Sequence, residues 1–139
     1  MEKSKNLLEE GKKITETFAS QSILGLLVSN VENVEDSVQA ILKFPNIEGV
    51  GVYHLDKTPL VEKGENTLAT DQSMWREEAG LVKETTDAWY FMAPVFYVQE
   101  ASEDIFHEEE EPELLGYVRV VQSKAGLALL ISKIRKVNI

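Results

Sequence analysis

The chain has 139 residues, 43% of them hydrophobic, enough for one buried core and not calling for a second domain. With no cysteine, neither a disulfide framework nor a thiolate metal site is available. The formal charge of -10 argues against a nucleic-acid role, since no basic stripe is present to meet phosphates.

The charge is concentrated in one place. Glu100, Glu103, Asp104, Glu108, Glu109, Glu110, Glu111 and Glu113 are eight of the 24 acids, with no Lys or Arg among them. The rest of the chain is close to neutral. No run approaches the eighteen or so apolar residues of a membrane span, and the start, Glu2-Lys3-Ser4-Lys5, lacks the apolar core of a signal peptide.

Residues 1–31 read as one long helix, with Leu7, Gly11, Ile14, Phe18, Gln21, Gly25 and Val28 recurring at spacings of three and four. Such a helix would be about 45 Å long, wider than a small domain, so part of it must project. Gly11 and Gly25 share the stripe, where each lowers helix propensity by roughly 1 kcal/mol relative to Ala. A close helix approach, or a bend or break near Gly25, accounts for them. A second helix spans 33–44, capped by Asn33, carrying Val34, Val38, Ile41 and Leu42, and ended by Phe44-Pro45.

A sheet then fills 47–122. Ile47 to Leu55 is a strand, with Gly49 and Gly51 leaving room on one face for another element. Asp56 to Thr58 make a turn, and Pro59 to Glu62 form an edge strand that tolerates its proline. Residues 63–79 have no steady period and read as a cover loop. Leu81 to Thr85 is a short strand, and Thr86 with Asp87 turns the chain. Ala88 to Val98 is apolar on both faces, so it should be covered on both, and Pro94 calls for a bulge or a neighbour that ends early. After the acidic insert, 99–113, Leu114 to Gln122 is the expected central strand. Its Val118 and Val120 point one way, and Leu115, Tyr117, Arg119 and Val121 point the other. Residues 124–139 are an exit helix with a stripe of Leu127, Leu130, Ile131, Ile134 and Val137.

The fold class is therefore α+β, with two helices, five antiparallel strands and an exit helix. This order resembles the PAS-like sensor domains of bacterial membrane receptors called PDC or Cache domains. Within that class, Gly11, the run Asn46-Ile47-Glu48-Gly49-Val50 after Phe44-Pro45, and the strand ending Tyr53-His54-Leu55-Asp56 are similar to the periplasmic domain of hybrid sensor histidine kinases of the GacS and BarA type. So are Ala93-Pro94-Val95, the acidic insert, and Leu115-Gly116-Tyr117-Val118 leading into a helix. The same CHASE-type module also precedes diguanylate cyclase domains. The resemblance implies a periplasmic signal-input domain flanked by membrane spans of a longer receptor, acting on a cytoplasmic kinase or cyclase.

Catalysis is not expected. The two histidines, His54 and His107, lie outside any nucleophile motif, and no glycine-rich phosphate loop is present, so no cofactor is implied either. His107 with Glu108 to Glu111 offers metal ligands, but consecutive glutamates diverge, and the run reads as a solvated loop with at most a weak divalent or proton response. In a PAS-like fold a small molecule would lie between sheet and cover loop. Trp75 and Arg76 would offer an aromatic wall and an anion partner, and Tyr53, His54, Trp89, Tyr90 and Arg119 are the other groups the strands present. Structural roles are the competing explanation: Trp75 pinning the loop, Arg76 pairing with Glu77 or Glu78, and Arg119 bridging across the sheet. The partners expected are a small molecule or a periplasmic protein and, through the N-terminal helix, a second copy of the chain.

Overall fold

The computed structural model describes residues 2–64, 74–98 and 111–125, with side chains from Asn6 onward. Five strands form one antiparallel sheet: β1 (Ile47–His54), β2 (Pro59–Gly64), β3 (Gly80–Glu84), β4 (Ala88–Tyr97) and β5 (Glu113–Ser123), in the order β2-β1-β5-β4-β3. The strand expected at the centre is there. Flanked by β1 and β4, β5 buries every residue from Gly116 to Gln122, consistent with a strand covered on both faces.

Alternation sorts the side chains. Val118 and Val120 of β5 stand opposite Val52 and Val50 of β1, and opposite Ala93 and Phe91 of β4. Those valines and Ala93, with Val95, form the main core with Phe18, Leu26, Val34, Val38 and Ile41 of the helices. The other face carries Tyr117 and Arg119, opposite Tyr53 and Gly51. Pro94 lies past the last β3 partner, since Gly80 pairs with Met92, and the β4–β5 register shifts between Val95 and Phe96. Both devices named for that proline are therefore present.

The helical layer corrects the expectation of one helix over 1–31. It is two: α1 (Glu2–Gln21) and α2 (Ile23–Val28), broken at Ser22. Ser22 donates its N–H to the Ala19 carbonyl at 3.1 Å and its hydroxyl to the Phe18 carbonyl at 2.8 Å, a tightened turn that ends α1. Ser29 then closes α2 in a left-handed conformation, φ 51°. Gly25 has its own reason. A Cβ there would stand 2.5 Å from Val34 Cγ1 of α3 (Glu32–Leu42), so the glycine permits close contact between α2 and α3. The expected cap at Asn33 is not there: the N-cap position is Val31, which makes no side-chain cap bond, Asn30 Oδ1 just before it accepts the Glu32 N–H at 2.9 Å, and Asn33 sits inside the helix.

The helix α1 lies on the sheet through Gly11, where a Cβ would come within 2.5 Å of the Phe91 ring and 2.7 Å of Gln122 Oε1. Its exposed positions from Glu9 to Gln21 are polar or charged, while Ile14 and Phe18 pack against the core. Most of the cover loop 63–79, the acidic insert 99–113 with His107, and the exit helix 124–139 lie outside the described residues. No helix among the described residues is long and apolar enough to cross a membrane.

Candidate functional site

The face of the sheet away from the helices carries Tyr53, Tyr90, Tyr117 and Arg119. Strand alternation places Tyr53 of β1 and Tyr117 of β5 side by side there, as a cross-strand pair. Within the cover loop, Met74 and Trp75 lie on this surface, and they cluster with Tyr53, Tyr117, Met92, Val82 and Leu114. The Trp75 ring meets both tyrosines edge to face: 5.2 Å and 81° from Tyr53, 5.1 Å and 64° from Tyr117. Each such contact contributes about 0.5–1.5 kcal/mol beyond simple burial, so Trp75 fixes the position of the segment that carries it. Lys57, in the β1–β2 turn with φ 74°, holds its ammonium 5.9 Å from the Trp75 ring centre.

Beside the aromatics lies a cluster of polar side chains over Gly51. A Cβ on Gly51 would fall 2.5 Å from the Tyr53 hydroxyl, so the phenol folds back over Gly51 into the space its missing side chain leaves. Arg119 and Glu62 are the register partners of Gly51 on the two sides, and both rise around it. Arg119 is 4% exposed, its guanidinium lies 5.3 Å from the Tyr53 ring centre, and Nη2 stands 3.6 Å from Glu62 Oε2. Burying a guanidinium is unfavourable unless acids, acceptors or ring faces compensate, and Glu62 and Tyr53 supply part of that. The Tyr53 hydroxyl is fully buried, with no hydrogen-bond partner among the described residues. Burial pushes its pKa up to about 12, with Arg119 pulling down and Glu62 adding to the rise. The phenol is thus a neutral donor at any physiological pH.

Of the seven residues singled out in the sequence, the structure gathers Tyr53, Trp75 and Arg119 on this face, with Tyr90 further along it beside Ala88 and Val121. Arg76 follows Trp75 and is exposed. His54 and Trp89 go elsewhere, because each is one residue out of phase with its neighbours Tyr53 and Tyr90. His54 ends β1 on the helix side, where its backbone pairs with Lys57 and Thr58 in the turn. Trp89 is buried opposite Gln122, its ring 5.4 Å from the Lys124 ammonium. Two of the three structural roles named above are also present, since Trp75 docks its segment and Arg119 bridges to Glu62.

Tyr117, Met92 and Glu62 were not singled out in the sequence, whereas Gly51 was, as room on one strand face. The signal for Tyr117 was present in its shared face with Arg119. Glu62 requires the β1–β2 register, which the turn does not disclose. An open groove of about 360 Å³ on the helix side, lined by Glu16, Ala19, Ile23, Ala93 and Phe96 among others, is apolar with acids at its rim and holds no buried donor. No cluster of metal-binding side chains is found among the described residues.

The sequence model of the family described as single Cache domain 4 matches residues 1–133. No curated protein and no solved structure matches the chain significantly.

Proposed function

The chain belongs to the single Cache domain 4 family, whose members are extracellular small-molecule-sensing domains of receptors, and we propose that it reads its ligand on the sheet face away from the helices. The observation that carries this is the buried polar cluster over Gly51. A buried phenol donor and a buried guanidinium stand beside the Trp75 and Tyr117 rings, while the opposite face packs aliphatic side chains with Phe18, Phe91 and Trp89. A core needs no buried polar cluster of this kind, whereas a selective binding site does. Receptor sensing requires a small molecule and an output, and no catalytic step within this chain.

The remainder of the reading is topological. The domain lies in the periplasm between two membrane spans of its parent, and α1 and the segment after β5 carry the change to a cytoplasmic histidine kinase or diguanylate cyclase. It acts as a homodimer through its N-terminal helices, in which a ligand favouring one arrangement biases the output. A second reading, a protein-docking module without a ligand, is favoured by the exposed Leu24, Leu27 and Val28 of α2 and by Val31 just beyond it. Thermal shift against a metabolite panel separates the two. A sensor gains about 3 kcal/mol from a compound at a hundredfold excess over its Kd, which corresponds to several degrees. A docking module gains nothing from any compound in the panel.

A further inference from the structure

Among the described residues, the exposed large apolar side chains lie at one end of the domain, with Phe44 the exception. Leu24, Leu27 and Val28 of α2 and Val31 just beyond it recur at spacings of three and four, so they form one outward stripe. Leu55 follows β1, and Phe96 and Val98 stand at and just past the end of β4. The contacts fix which end this is. Gly11, early in α1, meets Gln122 near the end of β5, whereas Leu26 of α2 meets Gly116 near its beginning. The described chain therefore enters along α1 and leaves along β5 at the opposite end. The helix-side groove opens onto the apolar end: Ile23 is in its wall with Phe96, and Leu27, one helical turn on, continues the apolar surface along α2. Glu16 and Glu77 are in its rim, and no Lys or Arg lines it. Lys12 approaches Glu16 only to 3.9 Å with both side chains half exposed, a pair that a stronger partner replaces at little penalty.

Single apolar residues on a surface need no explanation, but a continuous apolar surface bordered by acids does. We propose that this end of the domain docks a soluble protein through a basic amphipathic helix, whose apolar face lies along the groove and α2 and whose Lys or Arg side chains meet Glu16 and Glu77. Charge chooses this occupant. In a two-fold pair of copies the same acids would face one another, in a chain already carrying a charge of -10. An anionic bilayer is repelled by the same rim. Length agrees too, since Glu16 to Val28 covers about 18 Å of helix axis, a match for a partner helix of three to four turns. Glu16, Ile23, Leu27, Glu77 and Phe96 are all outside the Tyr53–Arg119 cluster, so the proposal goes beyond the sensing reading and does not rest on it.

The test is fluorescence anisotropy of a labelled helical peptide of about fourteen residues, with Leu at helical spacing and Lys elsewhere, titrated with the purified chain at about 150 mM salt. This peptide should bind saturably. A scrambled peptide of the same composition, lacking an apolar face, should bind at least about tenfold more weakly, and the version with Glu for Lys should not bind. Leu27→Glu and Phe96→Glu, at exposed positions that leave circular dichroism unchanged, should each weaken binding about tenfold. Glu16→Lys with Glu77→Lys should weaken the Lys peptide about tenfold and admit the Glu peptide. Glu9→Lys with Glu48→Lys makes the same charge change at the opposite end, beside Gly11 and the β1 residues paired with Gln122 and Val121, and should alter either affinity by less than about twofold. The proposal is overturned if the scrambled peptide binds equally well, if Leu27→Glu and Phe96→Glu bind as the parent does, if the two charge reversals act alike, or if nothing binds at about 1 mM. It is also overturned if sedimentation shows a dimer of the chain alone that Leu27→Glu dissociates, which would make a second copy the occupant. A compound that stabilises the parent should stabilise Leu27→Glu equally, so failure here leaves the sensing reading intact.

Discussion

Replacing Gly11 with Ala sets two effects of similar size against each other, and the structure decides the sign. In an open helix Gly→Ala stabilises by about 1 kcal/mol, through helix propensity alone. At Gly11 the new methyl would lie 2.5 Å from Phe91 Cε2 and Cζ and 2.7 Å from Gln122 Oε1. Phe91 is 1% exposed and held between strand neighbours, so its ring cannot swing clear, and α1 must lift from the sheet instead. Overpacking of this kind costs roughly 1–3 kcal/mol, leaving a net loss of about 1 kcal/mol, or some 3 °C in Tm for a chain of this length. Ser20→Ala, at an exposed position of the same helix, meets no neighbour and should be neutral or slightly stabilising. Urea denaturation followed by circular dichroism measures both. If Gly11→Ala raised stability by the full propensity gain, α1 would not rest on Phe91 and the layer arrangement described here would be wrong.

Three further outcomes follow from the same contacts. Phe18→Ala empties a fully buried position between α1 and the sheet, and should lower unfolding free energy by about 3–5 kcal/mol in the same urea experiment. Tyr53, with its pKa raised to about 12, stays neutral while the unfolded phenol ionises near 10. Stability should therefore fall as pH rises from about 10 toward 12, and Tyr53→Phe should remove that part of the fall. Lys124 donates to Glu84 at 2.6 Å and holds its carboxyl below the usual range. The stability this pair supplies is present above the unfolded carboxylate pKa and is lost as pH falls through the lower folded value. Lys124→Met should accordingly flatten the acid limb of a Tm-against-pH curve.

The sheet was legible because period-two alternation in Leu114 to Gln122 and Ala88 to Val98 leaves little choice of face, and Pro94 restricts where β3 can pair. The place of the helical break, Ser22 rather than the neighbourhood of Gly25, was not. Nothing in Gln21-Ser22-Ile23 interrupts the apolar stripe, and the turn depends on Ser22 bonding back to Phe18 and Ala19 while its side chain is buried. Site residues divided along the same line. Tyr53 and Arg119 followed from strand phase, but His54 and Trp89 were grouped with them by residue type although phase sends them to the other face. The docking of Trp75 between two tyrosines could not be read, since a segment without a period gives no clue to what it packs against. Glu62 needed the register Gly51–Glu62, which a bulge between Val52 and Tyr53 shifts relative to a simple hairpin count.

The claim that a small molecule occupies the Tyr53–Arg119 face can be put to fluorine NMR of the chain labelled with 5-fluorotryptophan. The two tryptophans lie on opposite faces of the sheet and give one resonance each, with Trp75→Phe assigning them. Titrated with a compound that raises Tm, the Trp75 resonance should move saturably while that of Trp89 shifts far less. A stabilising compound that moves Trp89 and leaves Trp75 unchanged would place the binding site on the helix side and contradict the account.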